Sequence, residues 1–161
     1  MKNIKLDFGY QIGINKPCFI IAEIGSNHDN SFLKALKLID KAKEAGADAV
    51  KFQIFSADQH YSKYTPGFKY LKKKNTYSLI KGLEINRRWI FKLKKYCDKK
   101  KIIFFASPCD LSAINELKRL NTKLYKVASF DITDLNLVES IAKTKKPIIL
   151  STGMCSFKDI Q

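Results

Sequence analysis

CFIIAEIGSNHDN, residues 18–30, decides the fold. Its first eight residues form a nearly continuous apolar run, as a strand buried on both faces does in a parallel sheet. A doubly wound nucleotide-binding sheet would follow that strand with a glycine-rich turn. Here the turn is GSNHDN, with a single glycine, so the stretch favours the first strand of a (β/α)8 barrel. Working outward, residues 31–45 place Phe32, Leu33, Leu36, Ile39 and Ala42 at helical spacing, with Asn30 the expected N-cap and Gly46 the stop. DAVKFQIF (48–55) then reads as a second strand. That is one β-α-β unit, with right-handed crossover expected.

The unit repeats. Residues 87–98 carry Ile90, Leu93 and Cys97 on one helical face, and KIIFFAS (101–107) is a third strand. Asp110 can cap a helix with Leu111, Ile114, Leu117 and Leu120 inward, and KLYKVAS (123–129) is a fourth strand. Thr133 or Asp134 opens a helix in which Leu135, Leu137, Val138 and Ile141 are apolar, and PIILSTGM (147–154) is a fifth strand. About five parallel strands and four helices make an α/β chain. An open doubly wound sheet is the alternative. A whole barrel needs about 250 residues, so 161 residues read as a partial TIM barrel over residues 18–161. Residues 1–17 read as a leader, with a hairpin as one option. Between residue 56 and about residue 84 lies an irregular stretch bearing Tyr61, Tyr64, Pro66, Gly67, Phe68, Tyr70 and Tyr77. Its length and aromatic content suggest a functional lid.

A hydrophobic share of 45% with 28% charged residues is that of a soluble globular protein. No apolar run approaches the roughly 20 residues that cross a bilayer, and MKNIKLDFGYQIG lacks the core of a secretory signal. Cytoplasm is the expected compartment. Cys18, Cys97, Cys109 and Cys155 stand singly, without zinc-ribbon spacing, and are expected to be structural thiols. The net charge of +15 is almost all lysine, with Arg87, Arg88 and Arg119 the only arginines. Nucleic-acid readers combine clustered arginine with aromatic platforms. Lysine runs at 72–74 and 99–101 therefore read as solvated faces rather than a specific nucleic-acid surface, and the excess charge would draw in anions.

Barrel enzymes carry their reactive groups at the C-terminal ends of the strands. In order, those ends hold Glu23 with Asn27 and His28; Lys51 and Gln53; Ser107; Lys126, Ser129 and Asp131; and Ser151 with Thr152. Lys51 and Lys126 supply point charges, the serines and Thr152 supply hydroxyls, and the turn at 151–153 offers backbone N–H groups, a set suited to phosphate. Glu23 or Asp131 could move a proton. Taken singly, Glu23 is as readily a satisfied structural carboxylate. Two lysines near apolar strand ends also leave Schiff-base aldolase chemistry open.

AEIGSNH (22–28), GADAVKFQ (46–53), ASPCD (106–110), YKVASFDITD (125–134) and KPIILSTGM (146–154) resemble, in order and spacing, the N-terminal barrel of the sialic acid synthase family, which makes N-acetylneuraminic, legionaminic and pseudaminic acids. The resemblance implies condensation of phosphoenolpyruvate with an open-chain N-acetylated amino sugar, dependent on a divalent metal, Mn or Mg. The methylene carbon attacks the aldehyde, water adds to the enol-ether carbon, and phosphate leaves by C–O cleavage. By motif, Lys51, Ser107, Lys126, Ser129 and Ser151 would hold phosphoenolpyruvate, Gln53 would contact the sugar, and Glu23 would handle protons. Asp131 stands where many members have glutamate, keeping the charge with a shorter reach. The resemblance places the metal-ligand histidines and an antifreeze-protein-like domain beyond the fifth strand. No metal ligand is therefore expected in this chain, His28 and His60 being no substitute, and the chain by itself is expected to be inactive. A homodimer is implied for full-length members. FDIT leans toward pseudaminic-type members and AEIGSNH toward neuraminic or legionaminic ones, which leaves the sugar open. The competing readings are a non-catalytic truncated remnant and a basic nucleic-acid-binding module.

Overall fold

The computed structural model describes residues 3–6, 8–67 and 75–161. The lysine run 72–74 and the lid aromatics Phe68 and Tyr70 lie outside the described residues. In chain order, a two-stranded antiparallel hairpin, β1 (Ile4–Lys5) and β2 (Gln11–Ile12), precedes β3 (Ile21–Gly25), α1 (Phe32–Glu44) and β4 (Ala49–Ile54). After β4 come two helices, α2 (Ala57–His60) and α3 (Thr76–Leu83), and a 3-10 turn over Arg87–Trp89 that leads into α4 (Ile90–Lys100). The chain continues through β5 (Ile103–Pro108), α5 (Leu111–Arg119), β6 (Tyr125–Val127), α6 (Leu135–Ala142), β7 (Ile148–Leu150) and α7 (Phe157–Ile160). Among the described residues no helix is long and apolar enough to cross a membrane.

The five-stranded sheet is parallel throughout, and its spatial order β3-β4-β5-β6-β7 follows the chain. A doubly wound sheet would reverse direction at a switch point. None occurs here, and the strands with their alternating helices form an arc of a (β/α)8 barrel.

Strand side chains alternate between faces, and that alternation divides the core in two. Val50, Phe52 and Ile54 of β4, Phe104 and Ala106 of β5, and Tyr125 and Val127 of β6 face the helices. There they meet Ala35 and Ile39 of α1, Leu93 and Cys97 of α4, Ile114 and Leu117 of α5, and Leu137 and Ile141 of α6. The other face holds Ala49, Phe105 and Leu124, packed with Phe8, Phe19, Ile21 and Ile103. The ring of Tyr10 meets Phe19 edge-on at 4.7 Å, and its hydroxyl donates to Asp48, so the segment before β3 closes the N-terminal end of the arc. One step further along the same inner face stand Lys51 and Gln53 of β4, Ser107 of β5 and Lys126 of β6. The floor is apolar and the rim is polar.

Several local expectations change. Ser31, not Asn30, caps α1 and accepts from the Lys34 N–H at 3.2 Å. Asn30 takes a left-handed conformation with φ 54°, and its side-chain amide donates to the Gly82 carbonyl at 2.6 Å. Leu33, Leu111 and Leu135 are exposed rather than inward. The stretch 56–84 is not wholly irregular: α2 and α3 occupy part of it. Its ends are joined by the Ala57 N–H donating to Glu84 Oε1 at 2.6 Å, and Lys81 pairs with Asp58 at 2.7 Å.

Asp110 shows how strongly one loop residue can tie elements together. It accepts from the Ala113 N–H at 2.7 Å as the N-cap of α5 and takes an ion pair from Arg87 at 2.5 Å while almost fully buried. Asp110→Ala is expected to destabilise the fold by about 2–3 kcal/mol, a cap plus the shorter of the two carboxylate contacts of Arg87, which keeps Glu116 at 3.4 Å. Urea denaturation measures it; a loss below about 0.5 kcal/mol, the ordinary range for surface changes, would contradict it.

Candidate active site

Parallel registry brings the polar rim together. Glu23 sits beside Lys51 across β3 and β4, and Gln53 beside Ser107 across β4 and β5. Lys51, nearly buried, pairs with Glu23 Oε2 at 2.6 Å and reaches Ser107 Oγ at 3.4 Å. Gly25 makes room for this. With φ 54° it turns the end of β3, and a Cβ there would lie 2.9 Å from the Glu23 carboxylate. Ser26 donates to Gln53 Oε1 at 3.4 Å.

On the neighbouring strands, Lys126 Nζ donates to Ser151 Oγ and to the Val127 carbonyl, each at 2.6 Å. Ser129 lies against the following turn, where a Cβ on Gly153 would sit 3.2 Å from its Oγ. Burial pulls the Lys126 pKa below the ordinary lysine value, and the positive charge of Lys51 pulls it further; Glu23 and Asp131 push the other way. The two ammonium groups therefore feel each other, and both carboxylates lie within electrostatic reach. Pairwise contacts link Glu23, Lys51 and Ser107, and Lys126 with Ser151, while Glu23, Lys51 and Asp131 act on Lys126 through their charges. Thr152 is exposed.

Beside this rim is a cavity of about 190 Å³ bounded by Gln53, Ser107, Tyr61, Phe130 and, at one wall, His60, Cys109 and Asp131. Asp131 is buried and meets His60 Nε2 at 3.2 Å. That hydrogen bond raises the His60 pKa above its ordinary value, outweighing burial. Burial, then Asp131, pushes the Cys109 thiol well up. The Tyr61 and Phe130 rings lie nearly parallel, 11° apart, as apolar walls.

Sequence reasoning missed two members of this wall. Periodicity leaves Cys109 among the structural thiols and His60 in the lid, because neither lies within a strand run. The four cysteines prove unlike: Cys97 is buried in the helix-facing core, its thiol pushed up to about 12 by burial, whereas Cys18 is exposed. A clue for Cys109 existed in its place one residue beyond β5. None existed for His60.

His28, next to the first strand end, does not join the rim. It is fully buried, its Nδ1 accepts from the Asn30 N–H at 3.2 Å, and it meets Trp89 edge-on at 6.1 Å. Its Nε2 has no hydrogen-bond partner among the described residues. Burial lowers its pKa from the usual value of about 6.5, with Asp29 opposing and Lys34 assisting. The folded chain thus holds His28 neutral, while the unfolded chain protonates it. Its contribution to stability is complete above about pH 6.5 and is lost as pH falls toward the lowered folded value. The urea midpoint is expected to drop between pH 7 and pH 5.5, and His28→Gln to drop less steeply. His60, whose pKa moves the opposite way, is common to both proteins. Equal slopes would contradict this.

A model described as the NeuB family matches residues 38–161. A spore coat polysaccharide biosynthesis protein, SpsE of Bacillus subtilis, is 39% identical over 151 residues, covering 92% of this chain and 40% of that protein. The N,N'-diacetyllegionaminic acid synthase of Legionella pneumophila is 35% identical over 92% of this chain and 43% of its own length. Among solved structures, an N-acetylneuraminic acid synthetase from Leptospira borgpetersenii, in complex with citrate, superposes with a TM-score of 0.85 at 35% identity. That match takes in 99% of this chain and 52% of the other. The chain spans well under half the length of these two curated relatives.

Proposed function

The chain belongs to the NeuB family, and on that premise we propose that its polar rim binds phosphoenolpyruvate for condensation with an N-acetylated amino sugar, as part of nonulosonic acid synthesis. The observation that carries this reading is the pair of lysines, Lys51 and Lys126, held close enough for each charge to act on the other at one apolar-floored opening. Two cations at such a place, of which Lys51 is paired with Glu23 and Lys126 only with neutral groups, suit a ligand with more than one negative charge. Phosphoenolpyruvate carries both a phosphate and a carboxylate.

Ser107 and Ser151 already accept from these ammonium groups, so their hydroxyl protons remain free to donate to the anion. Binding would draw Lys51 from Glu23 toward the ligand and leave the Glu23 carboxylate, half exposed, able to take a proton. Gln53, on the inner face between Ser26 and Ser107, is positioned to meet a polar group of the second substrate. A Schiff base at Lys51 is the less favoured route, since Lys51 is paired with a carboxylate rather than left desolvated and neutral.

The divalent metal implied by the resemblance does not fit a histidine pair among the described residues, since His28 packs on Trp89 and His60 on Asp131. No step is routed through it. Assayed by itself, the chain is expected to bind phosphoenolpyruvate without turnover.

Differential scanning fluorimetry tests the reading. Phosphoenolpyruvate at about 100 times its Kd should stabilise the fold by about 2.7 kcal/mol and raise Tm accordingly. Absence of a shift would overturn the proposal. A shift produced instead by generic RNA and abolished by salt would favour the nucleic-acid reading.

A further inference from the structure

We propose that His60, Cys109 and Asp131 form a binding site for a borderline-soft divalent cation such as Zn²⁺ or Co²⁺, separate from the histidine pair that the family resemblance implies. The three residues come from three successive loops at the same end of the arc: His60 ends α2 after β4, Cys109 follows β5, and Asp131 follows β6. Their donor atoms, an imidazole nitrogen, a sulfur and a carboxylate oxygen, all lie within 4.8 Å of one another. The His60 Nε2 to Asp131 Oδ1 separation is 3.2 Å. Tetrahedral zinc, with bonds of about 2.0–2.3 Å to these donors, sets its ligand atoms roughly 3.3–3.7 Å apart. Binding would release the Cys109 thiol proton to solvent, since the thiolate is the form that ligates a metal.

The donor set chooses the metal. Mg²⁺ and Ca²⁺ take oxygen donors, while a thiolate with imidazole selects zinc, cobalt or a similar ion. Three protein donors leave a fourth position open, as in catalytic rather than structural zinc sites. That position would face the cavity shared with Gln53 and Ser107 and walled by Tyr61 and Phe130. A bound cation would therefore present a water, or an oxygen of a ligand in the cavity, beside the lysine rim. Among the described residues this is the one cluster of three such donors.

Cobalt titration of the full chain tests the proposal. One equivalent of Co²⁺ should give visible bands of four-coordinate geometry together with a thiolate-to-cobalt charge-transfer band in the near ultraviolet, and Zn²⁺ should erase both. Cys109→Ser should remove the charge-transfer band, and His60→Ala should weaken cobalt binding at least about 10-fold. Cys18→Ser and Cys155→Ser should change neither. Absence of the band from the unaltered chain, or its persistence in Cys109→Ser, overturns the site. The reading needs no phosphoenolpyruvate, so its failure would leave the proposed substrate site untouched, and the reverse also holds.

Discussion

Lys126→Ala is expected to cut the stabilisation by phosphoenolpyruvate from about 2.7 kcal/mol to about 0.4–1.4 kcal/mol at the same ligand concentration, while leaving the fold intact. Lys126 gives two short hydrogen bonds, to Ser151 and to the Val127 carbonyl, and none of its partners is a carboxylate. Its ammonium group thus forms no ion pair with a carboxylate among the described residues. A hydrogen bond to a charged ligand group contributes about 1.5–3 kcal/mol, which is roughly a 10- to 100-fold loss of affinity on removal. Removing it also relieves the repulsion from Lys51, which offsets the lost hydrogen bonds, so the unliganded Tm should move little. Isothermal titration calorimetry measures the affinity and circular dichroism the fold. Unchanged affinity would mean that the anion is held elsewhere. Lys51→Ala differs, because it also strips Glu23 of its partner, so that a change in binding would mix the two effects.

The largest loss of stability is expected from Phe52→Ala, at about 3–5 kcal/mol. Phe52 is fully buried on the helix-facing side of β4, and its ring packs on Phe104 at 5.5 Å between centroids. Truncation removes the burial of a large apolar group and leaves a cavity that strands held in registry on both sides of β4 cannot collapse to fill. Set against a usual net stability of about 5–15 kcal/mol, this is a large fraction. The half-exposed Phe130, truncated to alanine, should by contrast shift stability by less than about 0.5 kcal/mol. Urea midpoints of the two variants would settle the contrast, and similar losses for both would refute it.

Much of the site was legible because its members follow from one rule of placement. Glu23, Lys51, Ser107 and Lys126 occur at the ends of apolar strand runs, and parallel pairing of successive strands carries such ends to one side. Their pairing was not legible. That Lys51 takes Glu23 while Lys126 takes Ser151 depends on registry between strands 25 to 28 residues apart along the chain. His28 illustrates the opposite failure. It follows the first strand end directly, yet the two left-handed residues Asp29 and Asn30 turn the chain so that its ring is enclosed against Trp89.

Strand and helix alternation was written in the chain order of the residues, although α4 runs to Lys100, past the end expected at Asp98. Periods of two and of 3.6 are local properties of the backbone, and neighbouring side chains are enough to reveal them. Only the tertiary structure decided that His60 reaches Asp131 across 71 residues and that Cys109 brings its sulfur within 4.8 Å of both. Such contacts arise because the closing curve of the sheet brings separate loops over a common centre, and no local periodicity encodes which side chains will meet there.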